Sequence, residues 1–297
     1  MPSMLHHHQP SPRPPARTVV LGAGGFIGGA IVRRLEANGC AVAAFGRQTL
    51  DLVADDAASR LASRLHTDDA VVVVAAKAPC KTPAMMLDNI RMMAAICAAL
   101  AERPVTHLVY VSSDAVYADG PLPLSEASPA APTSLHGAMH LAREHMLRAA
   151  APATALAILR PTLVYGAGDP HNGYGPNKFR RQANRGETIV LFGEGEERRD
   201  HVAVDDIAEI VRLVLEHRSD GVLNVATGTV ASFRALAEKA VALSGRQVAI
   251  KGSPRSGPMP HNGYRPFDPA ATLQAFPEFR YTALDEGLSR AQRQEFG

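Results

Sequence analysis

The chain has no tryptophan and only three cysteines, Cys40, Cys80 and Cys97. Three thiols at unrelated spacings exclude a disulfide framework and a CxxC metal site, and they make a reducing compartment, the cytoplasm, the expected home. No uninterrupted apolar run approaches the roughly 18 residues of a bilayer span, so no membrane association is expected. An excess of charge of one sign is missing too: 31 Lys and Arg stand against 29 Asp and Glu, a net +2. That balance supplies no field for nucleic acid. No GxSxG turn is present, which argues against a Ser-His-Asp hydrolase.

What remains is an ordinary globular composition over 297 residues, 46% hydrophobic and 20% charged. Residues 1–16, rich in Pro and His, read as a disordered arm, with His6, His7 and His8 in a solvated terminus rather than a metal site. From Thr18 onward, strand-like and helix-like segments alternate. Thr18–Leu21 is β-branched; Phe26–Asn38 has apolar residues at helical spacing and stops at Gly39. The run AVVVVAA at 70–76 and the run VTHLVYVS at 105–112 suit strands buried on both faces. This alternation predicts an α/β fold: a Rossmann-type, doubly wound parallel sheet over 17–165. Past Pro161 the pattern loosens. Residues 166–297 are expected to form a smaller C-terminal substrate-binding lobe, partly interleaved with the first domain. A ligand cleft should lie at the carboxyl ends of the strands.

The first strand–helix junction reads Gly22-Ala23-Gly24-Gly25-Phe26-Ile27-Gly28. Glycines at 22, 25 and 28 permit a tight turn and a close backbone approach to a pyrophosphate, and the helix N-terminus supplies free N–H groups. Gly22, Gly25, Phe26, Ile27 and Gly28 are therefore candidate dinucleotide contacts. The second strand ends in Phe45-Gly46-Arg47. An acidic residue there would hold the 2′-hydroxyl of NAD; Arg47 instead offers a fork matched to a 2′-phosphate, which favours NADP, with NAD as the alternative. Asp51 and Leu52 are placed near the adenine. Ala75 and Ala76 leave room for the cofactor, and Lys77 stands either near its phosphates or in solvent.

Taken with Asn89 and the blocks 111–117 (VSSDAVY), 159–166 (LRPTLVYG) and 193–206 (GEGEERRDHVAVDD), these residues resemble the extended short-chain dehydrogenase/reductase family of nucleotide-sugar epimerases, dehydratases and reductases. Residues 46–52 and 113–120 resemble its dTDP-4-dehydrorhamnose reductase branch. The resemblance implies a nicotinamide cofactor and a nucleotide-activated sugar as ligand, and it leaves room for a homodimer. It also implies a substrate-binding role for Ser113, whose hydroxyl would meet the reacting oxygen, and for Arg199 at the nucleotide diphosphate.

The same resemblance exposes a departure. The family places Tyr and Lys four residues apart on one helix, for proton transfer and for the nicotinamide ribose. Here the segment 134–144 reads SLHGAMHLARE, with His136 and His140 at those positions. His136 could serve as the acid/base, since an imidazole titrates near neutrality. His140, one turn on, would face the same way and reach the ribose. Asp114 could be the proton donor instead. The site could also bind cofactor and ligand without turnover, as a regulatory protein of the same fold. A metal on His136 and His140 lacks an evident third ligand, so none is expected. The reading is thus an NAD(P)-dependent nucleotide-sugar oxidoreductase or epimerase with non-standard catalytic residues, or an inactive binding protein.

Overall fold

In the computed structural model, residues 5–120 and 122–297 are described. The chain runs β1 (His6–His7), β2 (Arg17–Leu21), α1 (Phe26–Ala37), β3 (Val42–Phe45), α2 (Ala57–Ala62), β4 (Asp69–Val73), α3 (Pro83–Glu102) and β5 (His107–Val111). It continues through α4 (Leu135–Ala150), β6 (Ala155–Pro161), β7 (Leu163–Tyr165), α5 (Pro176–Asn184), β8 (Ile189–Phe192), β9 (Arg198–Ala203), α6 (Val204–Glu216) and β10 (Ser219–Val225). It ends with β11 (Val230–Ser232), α7 (Phe233–Ser244), β12 (Ile250–Ser253), β13 (Tyr264–Arg265), α8 (Ala270–Ala275) and α9 (Leu284–Phe296).

The main sheet has the order β1-β10-β6-β5-β4-β2-β3, parallel except for β1. This is the expected doubly wound architecture. The inner strands are apolar throughout because both faces are covered. β4 and β5 are buried along their whole length. On one face Ala30, Ile31 and Leu35 of α1 pack with Ile207, Ile210, Val211 and Val214 of α6. On the other, Leu61 of α2 and Met93 and Ile96 of α3 join Leu147 of α4. By length and composition alone α3 would suit a bilayer. In the fold its Asn89, Met92, Met93, Ile96, Ala99 and Leu100 are buried within the protein.

After β6 the chain leaves the sheet and then returns. Helix α6 and strand β10, which sequence pattern grouped with the smaller lobe, complete the main layers. The lobe proper joins α5, α7, α9 and the β8–β12 pair around Phe179, Leu191, Phe233 and Leu236.

The amino-terminal segment differs from the disordered arm expected of it. Residues 1–4 lie outside the described residues, but His6 and His7 pair with Asp220 and Ser219 of β10. The His7 ring explains the docking: Nδ1 meets Ser219 Oγ at 2.7 Å and Nε2 meets the Ala275 carbonyl at 2.9 Å. The ring also stacks on His217, with centroids 4.5 Å apart. Composition had suggested solvent; a paired strand edge and a two-sided ring anchor override it.

One carboxylate ties α4 to the sheet. Glu144 is fully buried and accepts hydrogen bonds from Arg160 Nε at 3.0 Å, Arg160 Nη2 at 2.6 Å and Ser112 Oγ at 2.7 Å. Removing one member of such a pair strands the other charge in a dry site. Glu144→Leu should therefore cost about 3–5 kcal/mol of unfolding free energy, and Arg160→Leu added to it should recover part of the loss. Guanidinium denaturation of both variants checks this; a loss below about 1 kcal/mol for the single variant would show that the pair is not what holds the helix.

Candidate active site

A cleft of about 1060 Å³ opens at the carboxyl ends of β2, β3 and β4. The glycine turn forms its floor. Gly22 has φ +97°, and a Cβ there would lie 2.5 Å from the Ala75 nitrogen. A Cβ on Gly28 would lie 2.1 Å from the Gly22 carbonyl oxygen. These two glycines are required by the chain's own packing. Gly25 is different: its Cβ would meet only the Gly22 oxygen, at 3.3 Å. Helix α1 begins there with no side-chain cap and no acidic residue in its first turn. A pyrophosphate placed against this turn would meet uncapped N–H groups and the positive end of the helix dipole. The cradle therefore fits a dinucleotide.

Every cofactor residue expected from sequence except His140 lines this cleft: Gly22, Gly25, Phe26, Ile27 and Gly28 from the turn, Arg47, Asp51 and Leu52 after β3, and Ala75, Ala76 and Lys77 after β4. The Arg47 side chain is 78% exposed, and its nearest carboxylate, Asp51, is 3.7 Å away. Its fork is free for an anion. Lys77 is engaged: Nζ contacts Asp88 at 2.5 Å, while the buried Asn89 bonds both its N–H and its carbonyl. Asn89 thus clamps the loop that follows β4.

The four candidates for chemistry separate. His136 lines the cleft. Its Nδ1 accepts the Cys80 backbone N–H at 3.3 Å, so the neutral ring carries its proton on Nε2. Burial lowers its pKa, with Asp114 opposing the shift. His140 is not a cleft residue. It is buried behind His136, the two rings edge to face with centroids 4.7 Å apart, and its Nδ1 is hydrogen-bonded to the Tyr110 hydroxyl at 2.8 Å. Burial, with the nearby His136 and Arg143 charges, holds the His140 pKa well below the usual range. Burial also pushes the Tyr110 phenol up to about 12, so it stays protonated. The ribose contact expected of His140 is thus not visible in its surroundings.

Ser113 and Asp114 lie outside the cleft lining. Ser113 Oγ accepts the Ala115 N–H at 3.1 Å and caps the short turn at Asp114–Val116. The Asp114 carboxylate faces two guanidinium groups, Arg265 Nε at 3.4 Å and Arg199 Nη2 at 3.8 Å. Arg199 also pairs with Glu197 at 3.2 Å. Asp114 and Arg199, expected at substrate, are thus joined to each other in one ionic cluster.

Sequence reasoning missed Tyr110, Cys80 and Arg265. None has a local signal, because each acts on a residue 30 or more positions away. It also missed Arg143, which is fully buried, donates to the Ala75 carbonyl at 2.6 Å and lies 5.3 Å from the Tyr110 ring centre. No carboxylate pairs with it among the described residues. It is a fixed positive charge immediately behind the cleft.

A parallel sheet with a glycine cradle at its first strand–helix turn defines a dinucleotide-binding Rossmann protein. Residues 18–226 match the NAD dependent epimerase/dehydratase family model, and the chain belongs to that family. It is 31% identical over 169 residues to a dTDP-L-rhamnose 4-epimerase of Burkholderia thailandensis, covering 54% of this chain and 46% of that protein. It is 30% identical over 190 residues to a dTDP-4-dehydrorhamnose reductase of Streptomyces griseus, covering 61% of this chain and 60% of that protein. The chain thus matches about half the length of one of these relatives and three-fifths of the other. Among solved structures, the Thermus thermophilus UDP-glucose 4-epimerase complex with NAD superposes with a TM-score of 0.82 at 25% identity, over 93% of this chain and 98% of that one. A GDP-L-fucose synthetase from Naegleria fowleri bound to NADP shares the fold, with a TM-score of 0.84 at 16% identity over 98% and 96% of the two chains.

The two glycine roles predict different failures. Gly28→Ala should lower the melting temperature, because its methyl group meets backbone. Gly25→Val should stay folded, with an unchanged circular dichroism spectrum, and lose at least about tenfold in dinucleotide affinity as the branched side chain blocks the approach to the helix end. Unchanged affinity in the Gly25 variant by calorimetry would remove the turn from the site.

Proposed function

We propose that the cleft binds a nicotinamide dinucleotide, NADP in preference to NAD, together with a nucleotide-activated sugar, and that the protein reduces or epimerises that sugar with His136 exchanging the proton. The observation that carries this reading is the position of His136. Of the side chains expected to do chemistry, it alone reaches the cleft that holds the glycine turn and Arg47. The bound cofactor supplies hydride transfer. Arg47 would hold a 2′-phosphate, and the turn would hold the pyrophosphate. The relatives named as a 4-epimerase and a 4-dehydrorhamnose reductase support a sugar carbonyl as the reacting group.

The hydrogen bonding of His136 bears on both directions of proton transfer. In reduction, the imidazolium carries a proton on each nitrogen and so gives up the Cys80 N–H bond at Nδ1; donating the Nε2 proton to the sugar oxygen then leaves the neutral Nδ1–H ring. As a base at Nε2, the neutral ring must likewise first carry its proton on Nδ1 and release that bond. The Cys80 contact therefore favours the resting Nε2–H ring over either working form, and epimerisation needs both roles. The lowered pKa exacts a cost: near neutrality most of the rings are uncharged, and a neutral imidazole is a weak acid. That same observation favours the second reading, in which the site binds both ligands with little or no turnover at neutral pH.

The two readings part on pH. Below the lowered His136 pKa the charged, donating form is populated; above it that form is lost. Ketone reduction, followed as loss of nicotinamide absorbance with a panel of 4-keto nucleotide sugars, should therefore rise as pH falls through a value below the ordinary 6.5 of histidine. His136→Phe should remove the turnover and leave dinucleotide binding in place. A rate that is flat in pH, or turnover surviving in His136→Phe, would place the proton elsewhere. Binding without turnover at any pH would establish the second reading.

Cofactor choice is tested at Arg47. Arg47→Ala should weaken NADPH binding by about 1–3 kcal/mol and leave NADH nearly unchanged, because only one of the two carries the phosphate. Equal losses for both would show that Arg47 does not read the 2′-position.

A further inference from the structure

We propose that His6, His8 and Asp220 form a binding site for one divalent transition-metal ion, zinc being the type case, which clasps the amino-terminal strand to the edge of the main sheet. The donor atoms of the three residues already lie within 4.8 Å of one another. His8 Nε2 stands 3.0 Å from Asp220 Oδ2, and the His6 and His8 ring centres are 5.0 Å apart. Zinc ligands sit about 2.0–2.2 Å from the ion, so its donors lie roughly 3–4 Å apart. Small rotations of two exposed rings close the set.

Strand geometry builds this arrangement. Successive side chains on a strand point to opposite faces. His7 points inward, where Ser219 and Ala275 occupy both of its ring nitrogens. His6 and His8 are thereby forced outward together. The antiparallel register places Asp220 directly across from His6. Two imidazoles and one carboxylate suit zinc, nickel or copper and disfavour calcium or magnesium, which prefer all-oxygen shells. Water would complete four-coordination.

A second cluster shows what a weaker candidate looks like. His66, Asp68 and Asp69 are equally close. There, however, Asp69 is already committed: Arg17 Nε and Nη2 bond its two oxygens at 2.7 and 2.6 Å, and the His66 N–H adds a third bond at 2.7 Å. Among the described residues, the only side-chain partner of the Asp220 carboxylate is His8 itself, another member of the set.

The site lies where β10 begins, at the amino ends of the parallel strands, opposite the cleft at their carboxyl ends. The inference is therefore independent of the proposed chemistry. Its test is a calorimetric titration of zinc chloride into the chelator-stripped full chain, alongside His8→Ala and Asp220→Asn. One ion per chain is expected. Each substitution should weaken binding by at least about tenfold, with the melting temperature in chelator unchanged, because these side chains are solvated. Zinc should also slow amide exchange at residues 6–9 in the natural chain. His66→Ala should bind zinc as the natural chain does. Absence of zinc binding would overturn the proposal. So would equal affinity in Asp220→Asn, since a mobile run of histidines holds zinc without any carboxylate from the sheet.

Discussion

The Glu144 carboxylate is the constraint on which the candidate site depends. It receives bonds from Ser112, at the end of β5, and from Arg160, within β6, while sitting on the helix that carries His136 and His140. Three elements are thereby fixed around one charge that has no access to water. The same helix is pressed onto the turn after β5. A Cβ at Gly137 would lie 2.0 Å from the Ala115 carbonyl oxygen. Helix α4 therefore cannot roll or slide, and the direction in which residues 136 and 140 point follows from packing alone. Buried ion pairs are modest sources of net stability but strong sources of geometric uniqueness when every lone pair is met, as here. That rigidity keeps the helix in position whichever side chains it presents at 136 and 140.

How much of this was legible in the sequence depended on distance along the chain. The glycine turn is a local device: strand, turn and helix lie within a dozen residues, and steric need at Gly22 and Gly28 follows from the backbone they build. Strands β2 to β6 of the doubly wound sheet were legible for the same reason, since apolar runs and helical spacing are short-range signals, whereas β1 and β10 were not placed in it. Ser113, Asp114 and Arg199 were harder. Each was placed by its resemblance to a pattern, and the pattern says nothing about Arg265, which arrives 151 residues after Asp114 to share its carboxylate. Likewise His140 was expected to face the ribose because it lies one turn from His136. Helical spacing puts two residues on one face but does not say how deep that face lies, and here Tyr110 takes the ring into the core. The amino-terminal arm failed for a different reason. A Pro- and His-rich composition argues against a packed core, but it does not forbid a two-residue strand whose inward ring finds two partners on an existing edge.

Two histidines one turn apart on α4 set the electrostatics of the site as well as its proton chemistry. A lysine would place a permanent charge beside the proton-transfer group. Two adjacent imidazoles, one of them deeply buried, do not keep both charges. What positive charge remains near the cleft comes from Arg143, fully buried and bonded to the Ala75 carbonyl. A guanidinium cannot be deprotonated at physiological pH. It disfavours the His140 imidazolium and would favour a developing negative charge in the cleft. An oxyanion forming on a bound ligand would feel this attraction. The same buried cation thus works against charge on His140 and would supply part of the stabilisation that a proton donor gives. Chemistry in a cleft built this way would lean on electrostatic stabilisation more than on proton transfer.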